Sequence, residues 1–126
     1  MILDSSTKLE AVLAGAITTS QPEAHVFYVD WNIQGLTSPP VAFRVALNGS
    51  SDVTLLAAPT ASPAREVQSL TIYNKDTVSV TVTVKTDDST TERIIQKQTL
   101  ATTETFCYEK GVGWYVIGSD TGRLLR

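Results

Sequence analysis

The sequence predicts an all-β domain, built as an antiparallel β-sandwich or a jelly-roll-like small barrel. Threonine, serine and valine are abundant, and β-branched side chains favour strands because they are stiff at the first side-chain torsion. Valines alternate with polar residues over positions 78–85, which gives the segment one apolar face and one wet face. Turn-forming residues recur about every eight to twelve residues, a spacing typical of sandwiches and barrels.

Residues 1–22 are mostly small or polar and surround an apolar run, LEAVLAGAI, at 9–17. No N-cap pattern precedes this run, so we expect an extended N-terminal arm or an edge strand rather than a helix. Two interpretations stay open: a first strand of the domain's own sheet, or an arm that adds a strand to a neighbouring subunit. In the second interpretation the contacts come from four apolar side chains, Leu9, Val12, Leu13 and Ile17.

The following segment begins with a predicted strand at 25–31, rich in aromatic and β-branched residues, and a proline-containing loop at 34–40. Alternating residues predict another strand at 41–47. Asn48-Gly49 is a strong hairpin signal, because both residues tolerate positive φ. We therefore expect residues 52–58 to return beside residues 41–47.

The second half of the chain is more regular, and its strands are predicted at 67–73, 78–85, 93–100, 106–108 and 114–117. The whole pattern amounts to about seven to nine short strands without a helix of normal length. We assign residues 23–118 to the β-sandwich domain and residues 119–126 to a C-terminal tail.

The bulk composition limits the classes of partner. At 126 residues the chain has the size of one domain. A net charge of -3 and a pI near 5.0 argue against a nucleic-acid partner, because phosphate binding needs clustered Lys and Arg. The single cysteine excludes an internal disulfide. The run at 9–17 is too short to span a bilayer and lacks the basic flank of a signal peptide, so we expect no membrane partner.

The chain offers few residues for catalysis or metal binding. A nucleophile pair could be drawn from His25 and Cys107, but a cysteine between two aromatic residues is typical of a small buried thiol. Asp87, Asp88 and Glu92 surround one turn without the offsets of a calcium loop, and acidic residues are common turn formers. Phosphate-binding glycine motifs and a Gly-x-Ser-x-Gly elbow are absent. We therefore expect a protein that is not an enzyme and that has no cofactor or metal.

Aromatic residues indicate a further kind of contact. Sugars stack on aromatic rings that also offer polar edges, and Trp31 and Tyr28 are the candidates for exposed surface contacts. Trp31 stands beside the proline-containing loop, which favours its exposure. In a domain of this size, however, tryptophans are more often core or interface anchors.

Several motifs resemble small structural proteins of tailed bacteriophages. They are a strand followed by a turn, a Thr/Val strand, a hairpin that closes on Gly-Trp, and an N-terminal apolar run. In this chain they stand as LTIYNKD at 70–76, VTVTV at 80–84, TERII at 91–95, TLA at 99–101, ETF at 104–106, GWYV at 113–116 and KLEAVLAGA at 8–16. The segment 31–64 matches no pattern of that group.

This resemblance implies a virion protein without catalytic residues, synthesised in the host cytoplasm. The role that it favours is a capsid decoration or cement protein, which stabilises the assembled shell. Threefold sites on an icosahedral capsid would suit a homotrimer, so the expected partners are copies of the chain and capsid proteins. The alternative is a neck or tail fibre or adaptor module with a receptor- or glycan-binding role.

Overall fold

The computed structural model describes residues 1–118 and, for the backbone, residues 122–124. All regular elements of these residues are β-strands, which form two antiparallel sheets packed against each other. The sheets do not close into a barrel, so the predicted all-β class is confirmed and the architecture is that of a sandwich. The described residues contain no helix that is long and apolar enough to cross a membrane.

The described strands are β1 (Ile2–Asp4), β2 (Lys8–Leu13), β3 (Glu23–Trp31), β4 (Val41–Ala46), β5 (Val53–Leu56), β6 (Ala64–Tyr73), β7 (Val80–Asp87), β8 (Glu92–Leu100), β9 (Thr105–Glu109), β10 (Gly113–Ile117) and β11 (Gly122–Leu124). The large sheet has the order β11-β10-β9-β6-β3-β4. Strand β1 pairs with residues 64–66 of β6, on the same side of β6 where β9 pairs with residues 69–73. The small sheet has the order β5-β2-β7-β8.

The core lies between the two sheets and follows the period-two pattern of the strands. In β7, Val80, Val82 and Val84 are buried while the threonines between them are half-exposed. Burying each such side chain contributes roughly 1.5–3 kcal/mol. The largest fully buried side chains come from both sheets: Leu3, Leu9, Leu47, Leu55, Leu70, Ile72, Leu100 and Phe106.

Of the two interpretations of the apolar run, a strand of the domain's own sheet is confirmed and an extended N-terminal arm is wrong. Strand β2 is neither an arm nor an edge strand, because it lies inside the small sheet between β5 and β7. Leu9, Ala11 and Leu13 alternate along β2 and are buried, so the run supplies one face of the core. Residues 1–22 are therefore part of the sandwich, with β1 in the large sheet and β2 in the small one.

The predicted hairpin at Asn48-Gly49 is also wrong. The turn is present, with Gly49 at φ 54°, but β4 belongs to the large sheet and β5 to the small one. Leu47 is fully buried, and its N–H donates to the carbonyl of Pro22. The chain therefore passes from the large sheet to the small sheet at this turn, and Leu47 is part of the core there.

Two predicted hairpins are confirmed by the register. Strands β7 and β8 pair around the turn at Asp87-Asp88-Ser89, and β9 pairs with β10 around residues 110–112. Gly111 and Gly113 have φ of 83° and 106°, a region that favours glycine. Of the tail, residues 122–124 pair with β10, whereas 119–121 and 125–126 lie outside the described residues.

Candidate interaction surface

Most of the four apolar side chains predicted to make arm contacts pack within the domain itself. Leu9 and Leu13 are buried in the core. Val12, on the opposite face of β2, is half-buried, and Ile17 packs partly against the core. The structure therefore leaves little of this segment free to contact a neighbouring subunit.

The two aromatic residues predicted to be exposed are each half-buried. Tyr28 packs against the core, and the guanidinium of Arg65 lies 4.5 Å from the centre of its ring. Arg65 is held there by Asp30, at 2.7 Å between Nε and Oδ1. Trp31 lies at the end of β3 and lines a surface cleft of about 220 Å³ with neighbouring polar residues, including Asp30, Asn32, Ser38 and Ser62.

The most exposed apolar side chains lie on the turn that follows Trp31. Ile33 is 86% exposed and Leu36 is 65% exposed. Asn32 orders this turn, because its side-chain oxygen accepts hydrogen bonds from the backbone N–H groups of Gln34 and Leu36, each at 2.9 Å. The backbone also closes on itself, since Asn32 N–H donates to the carbonyl of Leu36 at 2.9 Å. The turn thus presents two apolar side chains to solvent from a defined backbone.

Strand β4, which follows this turn in the chain and lies at the edge of the large sheet, is also exposed. Residues 41–44 are all exposed. Val41 and Phe43 stand opposite Tyr28 and Val26, so they lie on the core-facing side of the sheet but beyond the cover of the small sheet. We refer to Ile33, Leu36, Val41 and Phe43 together as the apolar edge.

The other described edges are short or charged. Strand β5 has four residues, and β1 and β11 have three each. Strand β8 carries Glu92, Arg93 and Lys97, and its pairing with β7 contains a register shift. Strand β4 has a single charge, Arg44, and an uninterrupted register with β3. Since charges, bulges and shortness are the features that keep sheet edges from pairing, β4 is the least protected of these edges.

Cys107 and His25 are not brought together. Both lie on the outer face of the large sheet, but Cys107 stands opposite Thr71 of β6, and His25 stands opposite Thr71 from the other side. Two strand spacings separate them, about 10 Å. Burial raises the pKa of the Cys107 thiol, which disfavours the reactive thiolate. This geometry does not assemble the nucleophile pair that could be drawn from the sequence.

The turn acids divide into two groups. Asp88 acts as a turn former, because its Oδ1 accepts hydrogen bonds from the N–H groups of Thr90 at 3.0 Å and Thr91 at 2.7 Å. These hydrogen bonds hold the pKa of Asp88 below its usual value. Asp87 and Glu92, in contrast, lie next to Glu10 of β2. The sequence carries no local signal for this third carboxylate, because it stands more than seventy residues away.

A second polar cluster, at the turn after β6, is structural. Asn74 is fully buried, and its amide donates to the carbonyls of Leu100 and Ala101, both at 3.1 Å. Asp76 is also buried and accepts hydrogen bonds from the backbone N–H groups of residues 18–20. These backbone donors lower the pKa of Asp76 to about 2. The turn therefore joins both sheets to the segment between β2 and β3.

Comparison of the chain with protein-family models, with curated proteins and with solved structures found no match. A functional assignment must therefore come from the residues and surfaces themselves. Within the described surface, the apolar edge is the feature that most favours contact with another protein chain.

Proposed function

We propose that the chain is a non-enzymatic structural protein of a tailed-phage particle, a capsid decoration or cement protein that acts through its surfaces. The apolar edge is the observation that carries this proposal. A sheet edge with consecutive exposed residues offers unpaired backbone groups to another strand, and its apolar side chains add area to the contact. The motifs shared with phage structural proteins supply the particle as the setting.

The mechanism is stabilisation by mass action. A subunit that binds the assembled shell, and not the separate capsid chains, shifts the equilibrium towards the shell. In a homotrimer, each copy would present β4 and the turn at residues 32–36 to a neighbouring copy or to the capsid. In this proposal the contact is made by the apolar edge, whereas the sequence pattern had placed it on the N-terminal segment.

The copy number of the chain in purified particles tests this role. We expect a simple ratio to the major capsid protein, because a decoration protein occupies equivalent sites over the whole shell. Quantitative mass spectrometry against capsid peptides measures this ratio directly. About a dozen copies per particle would contradict decoration, since small multiples of three or six belong to the neck or tail.

The cleft beside Trp31 supports a second candidate, a neck or tail module that binds glycan. An indole ring next to Asp30, Asn32 and Ser38 combines a stacking surface with hydrogen-bonding groups. A panel of host surface glycans, titrated with the heat of binding recorded by calorimetry, tests this candidate. Binding that is lost in Trp31→Ala and kept in Phe43→Ala would favour the glycan role, whereas no binding by the unaltered chain would remove it.

A further inference from the structure

Three carboxylates from separate strands converge at one end of the small sheet. Glu10 lies on β2, Asp87 ends β7 and Glu92 begins β8, and one oxygen of each lies within 4.8 Å of the others. The register explains the convergence, because Asp87 stands opposite Glu92 on one side and opposite Lys8 on the other. Strand pairing therefore holds the three groups together, independently of the turn between β7 and β8.

Glu10 gives this cluster a property that surface acids lack. Its side chain is 5% exposed, and one carboxylate oxygen, Oε1, is buried without a hydrogen-bond partner. The other oxygen meets the ammonium of Lys8 at 2.8 Å. A buried carboxylate oxygen without a partner destabilises a fold, because its desolvation is not compensated by a hydrogen bond or an ion pair. An additional cation would satisfy it.

The charged side chains around Glu10 carry a net negative charge that such a cation would balance. Asp52 joins the cluster through Lys85, whose ammonium lies 2.9 Å from Asp52 and 3.0 Å from Glu92. Lys8 lies 2.8 Å from Glu10 and 3.7 Å from Asp87. Four carboxylates thus face two ammonium groups, and the two remaining negative charges equal the charge of one divalent ion.

We propose that Glu10, Asp87 and Glu92 form a binding site for a divalent cation of the size of Ca²⁺. Oxygens that lie within 4.8 Å of one another can all reach one ion, since Ca²⁺–oxygen bonds are about 2.4 Å long. Ca²⁺ accepts irregular sets of carboxylate ligands, whereas Mg²⁺ requires near-octahedral geometry and keeps several of its waters. Oxygen ligands alone also suit Ca²⁺ better than Zn²⁺, which favours histidine and cysteine.

Lys8 occupies the position of a competing cation. Its side chain is 39% exposed and extends from the end of β2, so it can turn into solvent when an ion binds. Lys85, with a side chain that is 11% exposed, stays between Asp52 and Glu92. The bound ion would cross-link β2 to the β7–β8 hairpin and thereby stabilise the small sheet. Such an ion would bind whether or not the chain belongs to a phage particle.

Calcium titration of the purified chain tests the site. We expect saturating binding of CaCl₂ in calorimetry, and a rise in Tm of about 5–10 °C at a calcium concentration about 100 times Kd. Glu10→Gln, which keeps the shape of the side chain, should lose both effects. Glu23→Gln is the matched control, because Glu23 is exposed on the other sheet, where it pairs with Lys75; it should keep both.

Two further variants keep the test decisive. If Glu10→Gln does not fold by circular dichroism, Glu92→Gln replaces it, because Glu92 is exposed. Lys8→Gln should bind calcium about fivefold more tightly or better, since it removes a competing positive charge. The site is refuted if calcium leaves the Tm of the unaltered chain unchanged, if Glu10→Gln and Glu23→Gln respond alike, or if Lys8→Gln binds calcium more weakly.

Discussion

At the residue scale, one carboxylate holds the segment between β2 and β3 against the turn after β6. Asp76 accepts hydrogen bonds from the N–H groups of Thr18 and Thr19, both at 2.8 Å, and from Ser20 at 3.2 Å. It also accepts one from its neighbour Thr77 at 2.8 Å. All four donors favour the ionised carboxylate, which accounts for the lowered pKa.

This arrangement predicts acid sensitivity with a defined sign. The pKa of Asp76 falls from 3.8 to about 2 on folding, so its contribution to stability is complete above pH 3.8 and is lost as the pH falls towards 2. Asp76→Asn should lower Tm at neutral pH and flatten the dependence of Tm on pH between these values. Thermal unfolding from pH 2 to pH 7 measures both effects. If the dependence of Tm on pH is unchanged in Asp76→Asn, other carboxylates cause the acid sensitivity.

The burial of Leu9 predicts a large effect on stability. Leu9→Ala should lower the free energy of unfolding by about 2–5 kcal/mol, because it leaves a cavity between the sheets. Val12→Ala on the opposite, half-exposed face of β2 is the control and should cost much less. Urea denaturation measures both. Equal, small effects would mean that β2 does not form part of the core.

At the scale of single elements, the edge strand β4 sets the expectation for assembly. Its exposed face is apolar, and Arg44 is its single charge. If copies of the chain associate through this edge, Phe43 is desolvated in the contact. An ammonium placed there would be buried without a counter-ion.

Phe43→Lys should therefore weaken self-association by about tenfold or more, while the fold is retained. Ile94→Lys is the matched control, because Ile94 is 68% exposed on β8, the charged edge of the other sheet. Light scattering after size-exclusion chromatography over a range of concentrations gives the mass of each variant. If both variants associate like the unaltered chain, β4 is not the contact.

At the scale of the whole molecule, the position of β2 makes the sandwich dependent on its first residues. Deleting residues 1–20 would remove β1 and β2, and with β2 the partner of both β5 and β7. We expect the shortened chain to lose cooperative thermal unfolding, followed by circular dichroism. A truncated chain that unfolds cooperatively would contradict this topology and would revive the interpretation of the segment as an arm.

Elements with local signals were predictable from the sequence. The alternation at Val80, Val82 and Val84 identified β7, and the turns at residues 87–89 and 109–113 identified two hairpins. These features depend on neighbours in the chain, where side-chain period and turn chemistry act directly. The half-buried state of Trp31 was not predictable in this way, because it depends on strands remote in sequence.

The candidate sites depended still more on the tertiary structure. Leu9 and Leu13 looked like contacts of an arm, since an apolar run has the same pattern whether it lies in its own core or on a neighbour. The exposure of Phe43 follows from the position of β4 at an edge, which no local pattern encodes. Glu10 meets Asp87 and Glu92 solely because β2 pairs with β7.

By itself, then, the sequence determined the all-β class, the strands from β6 to β10 and the two local hairpins. These follow from β-branched composition, period-two alternation and turn residues, which act over a few residues. The tertiary structure alone decided the distribution of strands between two sheets, the crossing at Asn48-Gly49 and the exposed edge at β4. The reason is that pairing partners in a sheet are selected by register and packing between distant segments, so one strand sequence is compatible with several neighbours.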